Sequence, residues 1–282
     1  MERQMETSAA ERELYTKQGF IPGRPLLTPQ EAAHYLAECE RTCTEPLRET
    51  ARRQAPNRVK PYLLYPWAAD LVRHPRILDA VEAVIGPDIM VFHTTTWWKE
   101  PRTTNFVPWH QDGTYFGLEP YEHVTAWVAL TPSTPERGCV QVIPGSHTIG
   151  QRPHFDQQDP AAMLSRGQTF AEPLDESAAV DLVLQPGDVS LHHTMLLHRS
   201  GPNQSDGRRI GIGISYIPAH VRHIGETRLS ATLVRGTDRY GHFEPEPAPA
   251  ADADAAALAA HEEAVGRFWK ASEAIPAMAL IH

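Results

Sequence analysis

Along the chain, apolar positions fall first at helical spacing and then in short runs of the kind that form strands. At Thr28-Pro29-Gln30-Glu31 a capping hydroxyl precedes a proline at the first helical position and a glutamate three residues after the cap. Ala32, Tyr35, Leu36 and Cys39 follow at three- and four-residue steps, which predicts a helix from Thr28 onward. A second helix is predicted from about His74 to Ile85. Its stripe is Ile77, Leu78, Val81, Val84 and Ile85, and Gly86-Pro87 stops it.

From Ile89 the pattern changes to short segments rich in β-branched and aromatic residues, at 89–99, 114–116, 124–130, 139–143, 180–184, 189–193, 195–198 and 209–217. Turn residues separate them, among them Pro144-Gly145, Pro186-Gly187-Asp188 and Gly201-Pro202. Two helices in front of about eight strands predict a mainly β (α+β) jelly roll with helices supporting one sheet. The stretch 151–177 lacks periodicity and reads as a lid over a site. The low-complexity run EPEPAPAADADAAA reads as an extended linker into a final helix, roughly 255–272, docked through Leu258, Val265, Phe268 and Trp269. The expected organisation is one domain over 1–282. Its helical part covers about 1–88, its jelly-roll core about 89–218 and its C-terminal extension about 219–282.

Composition narrows the function. Lys+Arg is 26 against 35 Asp+Glu, a net charge of −9. A nucleic-acid binder needs a basic face. The densest basic stretch, Arg52, Arg53, Arg58 and Lys60, reads as a solvated helix end. Nucleic acid and membrane are therefore not expected partners; a small-molecule substrate is. Cys39, Cys43 and Cys139 are too few and too irregular for a disulfide framework. No leader-like apolar segment opens the chain, and no run approaches the ~18 apolar residues of a membrane span. A cytoplasmic location is expected. Oligomeric state is not readable.

The candidate chemistry centres on Trp109-His110-Gln111-Asp112. In extended backbone, residues two apart point to the same face, so His110 and Asp112 can aim an imidazole and a carboxylate at one point. Two imidazoles and one carboxylate on one face of an octahedron are the donor set of non-haem Fe(II) oxygenases. A third donor must come from a strand distant in sequence. His198, at a predicted strand end, is the best candidate, with His192 and His193 on the same strand pair as competitors. Arg209 opens the next apolar strand. Its planar guanidinium suits the far carboxylate of a diacid that chelates iron through its other end.

These residues carry a resemblance. GPDIM at 86–90, WHQD at 109–112, TAWVALTP at 125–132, GCVQVIPGSH at 138–147, PGD at 186–188 and HRSGPNQSDGRR at 198–209 resemble the phytanoyl-CoA dioxygenase superfamily of Fe(II)/2-oxoglutarate oxygenases. The opening ELYTKQGFIPGRPLLTPQEA is similar too, whereas 151–177 and the chain after about 240 match least. The resemblance implies a double-stranded β-helix with His110, Asp112 and His198 as iron ligands. It implies Arg209 on the distal carboxylate of 2-oxoglutarate, with Ser200 and Trp127 beside it and Thr95 and Lys60 near the cosubstrate. O2 is the second cosubstrate, and the expected reaction is hydroxylation of an unactivated C–H of a small polar molecule or secondary metabolite, releasing succinate and CO2. Retention of Asp112 argues against halogenation. No phosphate-cradling Gly-rich loop is visible, so a CoA thioester is not indicated.

Plainer readings compete. Trp97, Trp98, Tyr115, Phe116 and Tyr121 are core residues by default, and strand alternation lets only one of Trp97 and Trp98 face inward. Lys99 and Glu100 read as a solvated strand end. Gln111 should point away from the metal, His147 reads as a loop residue, and Asp188 as a turn support. Arg222, Arg228, Arg235 and Arg239 are surface residues by default, or contacts for an anionic substrate if their segment folds over the barrel mouth. Two rival functions remain: a cupin-like metalloenzyme that does not use 2-oxoglutarate, and a non-catalytic jelly-roll binding module.

Overall fold

The computed structural model describes residues 9–43, 56–156, 159–164, 168–170 and 173–274. A seven-stranded sheet runs in the order Phe20–Pro25, Asp188–His193, Val124–Ala129, Arg209–Pro218, Ile89–Lys99, Ser230–Arg235, Glu244–Pro245. Facing it is a four-stranded sheet, Val107–His110, His198–Ser200, Val140–Val142 and Val180–Leu182. Phe20, Trp127 and Ala129 of the large sheet pack with Val140, Val142 and Leu182 of the small one, closing the jelly roll.

The large sheet is covered on its other side. Ala126, Val128, Leu191, Ile212 and Ile214 meet Leu71, Ile77 and Val81 of the helical layer in one core, which includes the helices Pro29–Cys43, Pro66–Leu71 and Pro75–Ile85. Val124–Ala129 is buried at every position. Its even residues face the helices and its odd residues, Thr125 and Trp127, face the interior. A strand buried on both faces shows no polar alternation, and so reads as a continuous apolar run. The capping box at Thr28 forms as predicted: Thr28 N–H donates to Glu31 Oε2 (2.7 Å) and Glu31 N–H to Thr28 Oγ1 (3.2 Å). The helix Pro75–Ile85 ends at Gly86, whose φ of 86° no side chain adopts cheaply.

Several expectations are corrected. Residues 114–116 are not a strand; Gly113–Phe116 is one helical turn. The segment 195–198 is a turn leading into the strand His198–Ser200. Two elements precede the first predicted helix: the helix Ala9–Gln18 and the edge strand Phe20–Pro25. Arg52 and Arg53 lie outside the described residues. The rest of that basic stretch is not solvated: Arg58 lies over the Trp98 ring at 5.0 Å, and Lys60 is 1% exposed in an ion pair with Glu246 (2.6 Å). The expected linker therefore contributes to the structure, because Glu246 accepts hydrogen bonds from Tyr62, Ser230 and Thr232 as well. The final helix, Ala255–Ala274, docks through Phe268, but Leu258 is exposed.

Candidate metal centre

His110 ends one strand of the small sheet and His198 begins the next, and the two are direct partners in the ladder. Asp112 follows at the start of the Gly113–Phe116 turn. One ligand atom each from His110, Asp112 and His198 lies within 4.8 Å of the others. Asp112 Oδ1 is 3.4 Å from His110 Nε2 and 3.6 Å from His198 Nε2. Each imidazole is oriented by its other nitrogen: His110 Nδ1 donates to the Pro108 carbonyl and His198 Nδ1 to the Leu196 carbonyl, both at 2.9 Å. That tautomer turns both Nε2 lone pairs to the common point. Thr125, unremarked in the sequence, donates to Asp112 Oδ2 (2.9 Å) and leaves Oδ1 for the imidazoles.

The electrostatics agree. Burial pushes the Asp112 carboxyl up, and positive charge on His198, His110 and His192 is what brings it well below the usual carboxylate range, a part that a bound cation takes when the imidazoles are neutral. Burial and the neighbouring His110 push His198 well below its ordinary value, leaving a neutral imidazole. Neutral nitrogens and an ionised carboxylate are the state in which these groups bind a metal.

Two lobes open from this point. The inner one, of about 440 Å³ counted to its mouth, is lined by Trp127, Ser200 and Arg209 along with Thr125, His192 and Gly213. Arg209 is 1% exposed. Its Nη2 donates to the Gly138 carbonyl (2.8 Å) and Ser200 Oγ (3.1 Å), and its guanidinium lies over the Trp127 ring at 5.1 Å. Gly211 is needed here, since a Cβ would come within 2.6 Å of the Trp127 ring. Arg209 Nε and Trp127 Nε1 are buried without a partner, which is costly unless a ligand supplies an acceptor. A carboxylate in this lobe meets that need, and its chelating end reaches the metal point, so the residues present fit both Fe(II) and a short 2-oxo diacid.

The outer lobe, about 500 Å³ counted the same way, is lined by Val59, His93, Thr95, Trp97, Tyr115, Phe116, Leu164, Phe268 and Trp269, with His110 and Asp112 at its base. Thr95 therefore lies on the side away from Arg209, where its Oγ1 hydrogen-bonds His93 Nε2 (3.1 Å). Of the two tryptophans, Trp97 faces the cavities and Trp98 the helical core. Among the described residues of the stretch 151–177, Leu164 lines this lobe.

Other candidates fall outside the centre. Lys60 is committed to Glu246. His192 Nε2 stands 3.8 Å from Asp112 Oδ2, while His193 Nδ1 accepts from Met195 N–H and His147 bonds the Thr16 carbonyl. Gln111 points away from the metal point, donating to the Gly150 and Met195 carbonyls. Asp188 accepts from Gln185 N–H, supporting its turn, and Tyr121 is exposed. Arg222, Arg228 and Arg235 pair with Glu119, Glu244 and Glu82. Lys99 is the largest misreading: it is 0% exposed rather than solvated.

Fold and centre together define a non-haem iron oxygenase built on a double-stranded β-helix. A family model described as phytanoyl-CoA dioxygenase (PhyH) matches residues 15–211. Among relatives, the peroxisomal phytanoyl-CoA dioxygenase of Bos taurus is 28% identical over 237 residues, covering 77% of this chain and 70% of that one. The 1-deoxypentalenic acid 11-beta-hydroxylase of Streptomyces exfoliatus is 32% identical over 168 residues, 57% of this chain and 56% of that one. Among solved structures, the non-heme monooxygenase ThoJ superposes with a TM-score of 0.81 at 37% identity, covering 93% of this chain and 97% of that one. The chain belongs to the phytanoyl-CoA dioxygenase family and is a 2-oxoglutarate-dependent non-haem iron dioxygenase.

Proposed function

We propose that this enzyme hydroxylates an unactivated C–H bond of a small organic molecule, a secondary metabolite rather than a CoA ester, with His110, Asp112 and His198 as the iron ligands. The observation that carries the reading is the convergence of those three donors between two lobes, one holding the Arg209 guanidinium and the other walled by aromatic side chains. Bound there, Fe(II) supplies O2 activation coupled to oxidative decarboxylation, so that R–H, O2 and 2-oxoglutarate become R–OH, succinate and CO2. The chain's part is to orient and to exclude water. Arg209 and Ser200 hold the distal carboxylate, Trp127 packs beside it, and Thr125 fixes the rotation of Asp112.

The outer lobe narrows the substrate. A small polar molecule would leave Trp97, Tyr115, Phe116, Phe268 and Trp269 facing water. An apolar ring or chain inserted among them accounts for the lining, with His93 and Thr95 available to one polar substituent. The matched family region stops at residue 211, so the helix bearing Phe268 and Trp269 is where this chain can differ from its relatives in substrate choice. Three buried free thiols, Cys39, Cys43 and Cys139, support a reducing, cytoplasmic setting.

The test is a succinate-release screen over apolar and ring-bearing metabolites, run alongside Arg209→Ala. Loss of 2-oxoglutarate turnover in the variant is expected. Unchanged turnover would favour a cupin-like metalloenzyme. Absence of a metal-to-ligand charge-transfer band on anaerobic addition of Fe(II) and 2-oxoglutarate would favour a binding module.

A further inference from the structure

Lys99 ends the long strand Ile89–Lys99 opposite Arg209 in the ladder, and both side chains are buried. Its Nζ lies 2.6 Å from Ser200 Oγ and 3.2 Å from the Ser200 carbonyl oxygen, and it also contacts the Gly201 carbonyl oxygen. Arg209 donates to the same Ser200 hydroxyl (3.1 Å). A lysine and an arginine side chain thus share one hydroxyl inside the protein, and among the described residues neither has a carboxylate partner. Ser200 and Arg209 line the inner lobe; Lys99 stands behind them.

We propose that Lys99 is a positioning residue for 2-oxoglutarate: it is neutral before the cosubstrate enters and takes up one proton from solvent as the distal carboxylate docks on Arg209 and Ser200. This rests on the reading of Arg209 as the carboxylate site. The hydrogen-bond inventory supplies the mechanism. A neutral amine has two N–H groups and one lone pair, so Ser200 must spend its hydroxyl hydrogen on Lys99. An ammonium has three donors for the three oxygens around it. Ser200 Oγ then accepts from both Lys99 and Arg209, and its hydrogen is released toward the arriving carboxylate. Burial, followed by repulsion from Arg209, brings the Lys99 ammonium down to about 6; Cys139 acts weakly the other way. Arg209 and Cys139 are the titratable groups that face it, and neither offers a compensating negative charge at neutral pH, because burial and the adjacent Asp181 push the Cys139 thiol up to about 12. A docked carboxylate is the missing counter-charge and favours the protonated amine.

The test is calorimetry of 2-oxoglutarate binding to the full-length Ni(II)-loaded protein at about pH 7.5, in buffers of different ionisation enthalpy. Uptake approaching one proton per 2-oxoglutarate is expected. Pyruvate, which chelates through the same keto and carboxylate oxygens but has no distal carboxylate, should take up none. Wild-type affinity for 2-oxoglutarate should weaken about tenfold for each pH unit above neutrality, until the pKa of the bound state is reached. Lys99→Met should abolish the uptake, flatten the pH dependence and weaken 2-oxoglutarate about tenfold or more, with pyruvate binding unchanged. Binding that depends on Arg209 but shows equal enthalpy in all buffers would overturn the proposal, as would equal uptake with pyruvate. Both outcomes are read on the wild type, so a poorly folded variant does not remove the test. Failure of 2-oxoglutarate to bind at all, or binding indifferent to Arg209→Ala, would instead sink the cosubstrate reading and this proposal with it.

Discussion

Replacing Glu246 with alanine should destabilise the protein by about 3–5 kcal/mol, a cost set by what the carboxylate leaves behind. Lys60 and Glu246 have side-chain exposures of 2% and 3%, and their charged atoms are 2.6 Å apart. Removing one partner leaves the ammonium, among the described residues, with the Ser230 carbonyl at 3.3 Å as its hydrogen-bond acceptor. The hydroxyls of Tyr62 (2.7 Å), Ser230 (2.7 Å) and Thr232 (2.8 Å) lose their acceptor at the same time. With an unfolding entropy of about 2.1 cal/mol/K per residue over this chain length, that loss corresponds to a melting temperature about 5–8 °C lower. The assay is urea and thermal denaturation followed by far-UV circular dichroism. The paired variant Lys60→Met with Glu246→Leu should recover the part of the loss that comes from the stranded ammonium, because it removes both charges, while the Tyr62, Ser230 and Thr232 hydroxyls stay without their acceptor. A cost below about 1 kcal/mol for Glu246→Ala, or a paired variant no better than the single one, would refute the view that the site is held by a desolvated ion pair.

Asp112→Ala should bind Fe(II) at least about tenfold more weakly by metal analysis after gel filtration, while circular dichroism stays native-like; retention of wild-type iron would exclude Asp112 as a ligand. Trp269→Ala should raise KM for the organic substrate while leaving the affinity for 2-oxoglutarate within about twofold, since Trp269 lines only the outer lobe; an equal change in both would show that the lobes are not separate. Acid should destabilise the fold through buried histidines: burial lowers His123 to about 3 and His154 to about 4. Below the unfolded value of about 6.5 the unfolded chain binds protons that the folded one refuses, so stability falls with pH, by about 2 kcal/mol per histidine at about pH 5. For His154 the obstacle is visible, because its Nε2 accepts the Gln111 N–H (3.1 Å) and its Nδ1 proton goes to the Arg152 carbonyl (2.7 Å). A denaturation midpoint flat between pH 5 and about 7 would contradict it.

The elements that sequence reveals best are those whose signal is local. The capping box at Thr28, the stripe of Pro75–Ile85 with Gly86 after it, and the His-x-Asp spacing each lie within a few residues, and each forms. The errors have long-range causes. Residues 114–116 have the composition of a strand, but Asp112 already has helical backbone angles (φ −59°, ψ −35°) and the chain continues from it through one helical turn. Lys99 and Lys60 look solvated because lysine usually is. Their burial depends on Ser200 and Glu246, which are 101 and 186 residues away. Thr125 is not legible in the sequence, because a threonine in an apolar strand carries no local mark, although it lies two residues before Trp127 on the same face. Trp97 and Trp98 face opposite sides of the sheet as alternation predicts, since period two is a property of the strand itself.

The tail of the chain has a dual dependence. Phe268 and Trp269 line the outer lobe, and the segment leading to their helix is moored to the barrel by Glu246, buried against Lys60, Tyr62, Ser230 and Thr232. A chimaera that grafts a relative's C-terminal helix onto this barrel must therefore carry over, or rebuild, its mooring carboxylate and the lysine that receives it. Without that fitting the borrowed helix would have the right aromatics and no fixed place to present them.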